Sequence, residues 1–343
     1  GQRATQRGVD GSSSRMTKAA KKKKHTMRKQ LFLLLHLLSA GAAFSQQEAI
    51  FSQFFHNKLV SNPGAAGSFG APCLTAFHRQ QWVGLEGAPV TQSLSFSAPA
   101  FADRVGLGLI LLHDRAGFFR STYLNFAYAY RMDFGEGKLG VGVQGSYLHH
   151  QADWQQARTT GSGIDQVIGD EAFTPVFNVG AGLHFESERF FAGVAVPHLL
   201  EKGLTEENAG ISSNFTGTTP HLFVSAGWFV EVSEQVKLRP AFSARLVRHA
   251  PPGADVHLGV GFLEKQKLWL GGTYRWSLSD VPSVGDAAVL SAQFQVSERL
   301  RVGGAYDLTL NQLRQENAGT FEFMLEYCFR KKGAVAVRHP RFF

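Results

Sequence analysis

The amino-acid sequence predicts an all-β fold, an antiparallel transmembrane β-barrel of about 14 strands in residues 73–331. Three observations lead to this prediction. Apolar residues alternate with polar or small ones in many short segments, which is the periodicity of a strand with two different faces. The connections between these segments alternate between short and long. After residue 47, no apolar run is long enough for a transmembrane helix.

The N-terminal end resembles an export signal and not a part of the barrel. Residues 27–46 begin with Met27-Arg28-Lys29, continue with an apolar run at 31–38 and end in small residues. This order is typical of a secretory signal peptide. The run is too short to cross a bilayer, which takes about 20 residues, and a short anchoring or buried helix is the alternative interpretation. We interpret residues 1–26, which include four consecutive lysines, as a non-native or mis-assigned upstream extension.

The charge of the chain depends on this N-terminal end. The whole sequence has a formal net charge of +8, which invites a nucleic-acid interpretation. Residues 1–46 hold ten of the 35 lysines and arginines but a single acidic residue, Asp10. The rest of the chain therefore carries 25 basic and 26 acidic residues. We expect no nucleic-acid partner.

The strand segments have one apolar and one polar or small face. In residues 90–98, Val90, Leu94 and Phe96 share one face, while Thr91 and Ser93 lie on the other. Glycine or alanine fills the inner face of several segments, which is compatible with a filled or narrow lumen. The predicted strands are 73–80, 90–98, 104–113, 120–131, 138–149, 174–186, 189–197, 219–231, 235–248, 254–264, 267–278, 287–297, 299–309 and 320–331.

The connections test the membrane interpretation independently. They are short after even-numbered strands and longer after odd-numbered strands, as in bacterial outer-membrane barrels with both termini in the periplasm. The longer ones are 81–89, 114–119, 150–173, 198–218, 249–253, 279–286 and 310–319. A soluble barrel or sandwich also alternates, but its apolar side faces inward. Long strands, aromatic residues near strand ends and a terminal Phe343 favour the outer membrane of a Gram-negative bacterium.

Residues with catalytic or metal-binding chemistry are few and scattered. His149-His150 with Asp153 lacks a third ligand at structural spacing, so a polar loop is the better interpretation. The sequence has no Gly-x-Ser-x-Gly elbow. We expect no catalytic residue, no cofactor and no metal. A barrel hydrolase with dispersed residues and a channel for a small solute remain alternatives.

The two cysteines, Cys73 and Cys328, lie in the first and last predicted strands. Closing a barrel makes these strands neighbours, and both cysteines fall on the inward face. A disulfide across the seam is therefore a hypothesis, with the register of the two strands deciding whether it forms.

Two stretches are more specific than barrel patterning requires. Residues 51–67 precede the first strand, within a predicted periplasmic or plug segment at 47–72, and contain turn chemistry at Asn62-Pro63. Residues 79–92 form the first loop with its flanks. The candidate partner-binding or structural residues in these stretches are Phe51, Gln53, Asn57, Asn62, Pro63, Gly67, Arg79, Gln81, Trp82, Gly84, Gly87, Pro89 and Gln92.

Both stretches resemble the PorP/SprF family of type IX secretion system membrane proteins. That family has a phenylalanine-serine-glutamine start, an asparagine-proline turn and an arginine-x-glutamine-tryptophan-valine-glycine loop, as at 79–84 here. The resemblance covers essentially residues 47–343, including a tail at 332–343. The chain departs from the family pattern at His56, at Gly64-Ala65 and at Val90.

The resemblance implies an outer-membrane component of type IX secretion that works by binding partners and not by catalysis. It implies contacts with outer-membrane lipid and with other secretion components or the C-terminal domain of a secreted adhesin. Some family members are linked to gliding motility. Either the periplasmic face would meet cell-envelope components, or the external face would hold the C-terminal domain of a secreted protein, with the loops at 150–173 and 198–218 as the expected outer docking surfaces.

Overall fold

The computed structural model describes residues 49–153, 172–205, 214–248, 250–262, 267–277 and 285–329. The predicted signal peptide, the residues before it and the predicted C-terminal tail lie outside these ranges. The strands are β1 Cys73–Gln80, β2 Val90–Ala100, β3 Val105–Ala116, β4 Phe119–Phe134, β5 Gly137–Ala152, β6 Ala172–Ser187, β7 Phe190–Val196, β8 Lys202–Thr205, β9 Asn214–Thr218, β10 His221–Trp228, β11 Val230–Glu231, β12 Lys237–Val247, β13 Gly253–Phe262, β14 Leu268–Ser277, β15 Ala287–Gln295, β16 Leu300–Thr309 and β17 Thr320–Cys328.

Fourteen of these strands close into an antiparallel barrel, which confirms the predicted fold class. Each strand pairs with its neighbour in sequence, except that β7 pairs with β10 and that β17 returns to pair with β1. The β10–β12 pairing completes the ring, and the short β11 continues the edge of β10 along β12. Because the ring is closed, its strands leave no free sheet edge around the circumference.

Two details of the strand prediction were wrong. The loop predicted at 114–119 is a two-residue turn, because β3 and β4 extend until only Gly117 and Phe118 separate them. Gly117 supplies the positive φ of 60° that this tight turn needs. The stretch predicted as a plain loop at 198–218 contains the β8–β9 hairpin, which forms a separate two-stranded sheet.

The outer face of the barrel is apolar and its inner face is largely polar. On β2, the side chains of Thr91, Ser93, Ser95 and Ser97 are buried, whereas Leu94 between them is 43% exposed. Phe323 on β17 is 59% exposed, and its neighbour Glu322 is fully buried. A soluble barrel would show the reverse arrangement. The exposed apolar band is what a membrane-spanning barrel requires.

Residues 49–72, called the lumen segment below, lie inside the barrel. The segment has three short helical turns: a 3-10 turn at Phe54–His56, α1 at Lys58–Ser61 and a 3-10 turn at Pro63–Ala65. Asn62 caps the last turn, where its side chain accepts a hydrogen bond from the backbone N–H of Gly64. Within the described ranges, no helix is long and apolar enough to span a membrane.

Candidate functional site

The lumen segment binds one side of the barrel through buried charges. These charges are on β1, β13, β14, β16 and β17, and we call them the charged wall. Its members are Arg79, Asp255, Arg275, Asp307 and Glu322, each no more than 7% exposed. Arg79 is the only one of these five among the candidate residues named from the sequence.

Glu322 and Arg79 hold the start of the lumen segment. The Glu322 carboxylate accepts hydrogen bonds from the backbone N–H groups of Ser52, at 2.7 Å, and Gln53, at 2.9 Å. The Arg79 guanidinium donates to Glu322 at 3.0 Å and to the Ser52 hydroxyl at 2.7 Å. The two sequence stretches that carry the family resemblance therefore meet at the Ser52–Arg79 contact.

The rest of the charged wall extends the network across three more strands. Arg79 donates to Asp307 at 2.8 Å, and Arg275 donates to the same Asp307 oxygen at 2.9 Å. Arg275 also donates to Asp255 at 2.6 Å, and Asp255 forms a further ion pair with Arg245. Because each carboxylate is matched by at least one guanidinium, burial leaves no member of the wall without an opposite charge.

His56 lies in a second polar cluster beside this wall. Its Nδ1 accepts a hydrogen bond from Arg301, at 3.3 Å, so its Nε2 carries the proton and donates to the Gln293 side-chain oxygen at 2.7 Å. Burial, with the positive charges of Arg301 and Arg239, lowers the pKa of His56 well below its usual range. The ring is therefore neutral at physiological pH. The Arg239 guanidinium also lies 4.0 Å from the centre of the Phe55 ring.

The opposite side of the lumen packs on the segment through backbone contacts. We call Gly106 on β3, Gly140 and Gly142 on β5 and Gly182 on β6 the glycine wall. A Cβ added to Gly106 would lie 1.9 Å from the Ala66 carbonyl oxygen, and one added to Gly142 would lie 2.3 Å from the Gly64 backbone nitrogen. No side chain fits at such distances, so these strand glycines allow the two backbones to touch.

Further contacts fix the segment between the two walls. The Asn62 side chain donates to the Leu183 carbonyl oxygen at 2.9 Å, and Arg131 donates to the Gly67 carbonyl oxygen at 2.8 Å. Lys58 forms a buried ion pair with Glu186 at 3.5 Å. The Phe51 ring packs on Phe77. Two other predicted residues also have places here: Asn57 contacts the hydroxyls of Ser93 and Ser95, and Pro63 begins the last helical turn.

The first loop, residues 81–89, lies at the end of the barrel that carries the longer connections. Gln81 donates its N–H to the Pro89 carbonyl oxygen and closes the base of the loop. Val83 exchanges two backbone hydrogen bonds with the loop at 310–319, to Gly319 and from Ala318. Gly84 and Gly87 adopt positive φ angles, as does Trp82. The loop therefore has a fixed shape, although Leu85 at its tip is 37% exposed.

The predicted site residues fall into two groups. Phe51, Gln53, Asn57, Asn62, Pro63, Gly67 and Arg79 lie in the lumen, while Gln81, Trp82, Gly84, Gly87 and Pro89 shape the first loop. Gln92 belongs to neither group, because it lies on the exposed outer face beside His78. Sequence reasoning missed the acidic members of the charged wall. The available signal was a charged residue on the inward face of an alternating strand, as at Glu322.

Cys73 and Cys328 lie directly opposite each other in the β1–β17 pairing and form a disulfide. Their Cα atoms are 4.1 Å apart, and 255 residues of chain separate them. The bridge ties the first barrel strand to the last. In the residues that the structure describes, no three histidine, cysteine or carboxylate side chains group as metal ligands would.

The sequence matches the family model described as type IX secretion system membrane protein PorP/SprF over residues 43–327. Among curated proteins, none matches. A Pseudomonas aeruginosa FadL homologue is 12% identical, with 78% of this chain and 93% of that one covered and a TM-score of 0.45. The Pseudomonas putida toluene transporter TodX is 9% identical, with coverages of 80% and 94% and a TM-score of 0.46. The CymD monoaromatic hydrocarbon channel is 12% identical, with coverages of 82% and 94% and a TM-score of 0.47.

The family match covers most of the chain and includes both stretches discussed above. Together with the closed barrel and its apolar outer face, it indicates a location in the outer membrane. The chain belongs to the PorP/SprF family of type IX secretion system membrane proteins.

Proposed function

We propose that this protein is a non-enzymatic component of the type IX secretion system that binds partner proteins and does not conduct a solute. The observation that carries the proposal is the lumen segment, which is held by the charged wall on one side and the glycine wall on the other. A ligand would have to displace both sets of contacts to pass. The role in secretion is inferred from membership of the family.

The partners that we propose are other secretion components or the C-terminal domain of a secreted adhesin. Binding would support export or surface attachment of the adhesin, and gliding motility in organisms that depend on it. Our candidate docking surface is the first loop with the loop at 310–319. Two backbone hydrogen bonds join these loops, so their shape is preformed. Binding a partner would therefore cost little conformational entropy. The expected docking loops at 150–173 and 198–218 lie partly outside the described residues.

Conductance separates the proposed role from that of a solute channel. We expect the purified full-length chain to insert into planar bilayers without steady ion conductance, because the lumen segment blocks the pathway. Heat-modifiable migration on gels would verify that the inserted protein is a folded barrel. Steady unitary currents from the unmodified protein would contradict the proposal and favour the channel for a small solute.

Partner capture tests the docking surface. Leu85→Asp changes the exposed tip of the first loop, and Val232→Asp is its matched control in the short β11–β12 connection at the other end of the barrel, where Val232 is 61% exposed. We expect Leu85→Asp to reduce recovery of secretion components or adhesin from native membranes by about tenfold, the effect of losing one well-buried apolar contact. If Val232→Asp alone reduced the recovery of partners, the binding surface would lie at the opposite end of the barrel.

A further inference from the structure

Two arginines lie directly opposite each other on the outer face of the β3–β4 hairpin. Arg115 pairs with Arg120 across the two strands. Arg115 is exposed, and the Arg120 side chain is 39% exposed. They lie at the end of the barrel that has the longer connections. In bacterial outer-membrane barrels this end is extracellular, which places the two arginines at the outer leaflet.

Like charges in directly opposite positions destabilise a pair of strands, because their Cβ atoms are only about 5 Å apart. The carboxylate of Asp153 offsets part of the repulsion, but its oxygen lies 3.7 Å from the Arg120 guanidinium, beyond hydrogen-bonding distance. Among the residues that the structure describes, this one ion pair is set against two exposed guanidiniums, which leaves a net positive charge. An anion bound between them would convert the repulsion into two charge-assisted hydrogen bonds.

The residues next along the two strands extend this basic pair with hydrogen-bonding groups. His113 and Thr122 are paired with each other and face outward, and the His113 Nδ1 lies 2.9 Å from the Thr122 hydroxyl. Beyond them on the same face come two apolar pairs, each side chain between 45% and 56% exposed: Leu111 with Leu124, and Leu109 with Phe126. The surface therefore changes from basic to polar to apolar along the hairpin.

We propose that Arg115, Arg120, His113 and Thr122 bind the headgroup phosphate of an anionic lipid in the outer leaflet. The guanidiniums would hold the phosphate, and the apolar pairs would contact the acyl chains. The charge of the patch favours an anionic headgroup, and the adjoining apolar surface favours a lipid over free phosphate. The equivalent end of β15–β17 carries Tyr306, Leu308 and Phe321 on its outer face and has no such pair of arginines.

Lipid adducts on the full-length protein test this inference. The double variant Arg115→Gln/Arg120→Gln would be titrated with lipid A in detergent, and the bound molecules counted by native mass spectrometry. We expect at least a tenfold loss of affinity, since two charge-assisted hydrogen bonds are removed. Arg104→Gln is the matched control, because Arg104 is exposed beside the other end of β3, and its affinity should equal that of the unmodified chain.

Three outcomes would overturn the proposal. The double variant and the unmodified chain could bind lipid A equally. Inorganic phosphate could displace lipid A at equimolar concentration, which would identify a site for a free anion. Both the double variant and the unmodified chain could bind phosphatidylethanolamine with the same affinity as lipid A, so that neither protein distinguishes the two lipids. If the double variant does not fold, the single variant Arg115→Gln should show the same loss to a smaller degree.

Discussion

The charged wall and the glycine wall hold the same lumen segment by opposite means. The charged wall uses long side chains from strands that are distant in sequence, and its Glu322 carboxylate accepts hydrogen bonds from two particular backbone N–H groups of the segment. The glycine wall has no side chains and fits the segment through close backbone contact. The folded protein should lose stability when a charge is removed from the charged wall, and also when a single carbon atom is added to the glycine wall. Variants on each side can separate these two kinds of contact.

The largest effect is expected on the charged wall. Glu322→Gln keeps the size of the side chain but leaves Arg79 with one fewer carboxylate in a buried site. We expect the free energy of unfolding to fall by about 3–5 kcal/mol, as when one partner of a buried ion pair is removed. Urea titration of the refolded barrel in lipid would measure it.

The matched control for this variant is Glu316→Gln in the exposed loop at 310–319. It should change the unfolding free energy by less than about 0.5 kcal/mol. Equal effects of the two substitutions would mean that the charged wall contributes nothing specific to holding the segment.

Removing the disulfide tests whether the pairing of β1 with β17, beside the charged wall, depends on a covalent link. Cys73→Ser/Cys328→Ser should lower stability by about 2–4 kcal/mol, because the bridge closes a long stretch of chain in the unfolded state. The unmodified protein should migrate differently on reducing and non-reducing gels after denaturation. Identical migration, with both thiols open to alkylation, would show that the cysteines are not joined.

A smaller loss is expected on the glycine wall. Gly106→Ala places a methyl group against the Ala66 carbonyl, and overpacking of this kind costs about 1–3 kcal/mol. Gly145→Ala on β5 is the control, since a Cβ there meets nothing within 4 Å. If both alanines are tolerated equally in urea titrations, the segment does not pack against β3 as closely as the structure shows.

Sequence periodicity predicted the number of barrel strands and nearly all of their positions, because alternation is a local property of each segment. It missed the turn at Gly117, where strand pairing extends further than the polarity pattern does. The β8–β9 hairpin was missed because only Lys202–Thr205 and Asn214–Thr218 form it, and such short strands give little alternation.

The candidate site was only half predictable. Residues such as Gln53 and Arg79 belong to recognisable stretches, so their importance could be inferred from the sequence. Their partners could not, since Glu322 and Asp307 lie more than 220 residues further along the chain. Only the register of a closed barrel brings them together, and that register depends on every strand between.

The contacts of Ser52 and Gln53 with Glu322 have a consequence for biogenesis. The lumen segment precedes every barrel strand in the chain but is held by the last of them, β17, whose Glu322 is 270 positions beyond Ser52. Until β16 and β17 have emerged, the backbone N–H groups of Ser52 and Gln53 have no carboxylate to bind, and Arg79 lacks both Glu322 and Asp307. A chain truncated before these strands would expose the segment to periplasmic proteases. The lumen segment therefore becomes fully held only after the last strands of the barrel have been made.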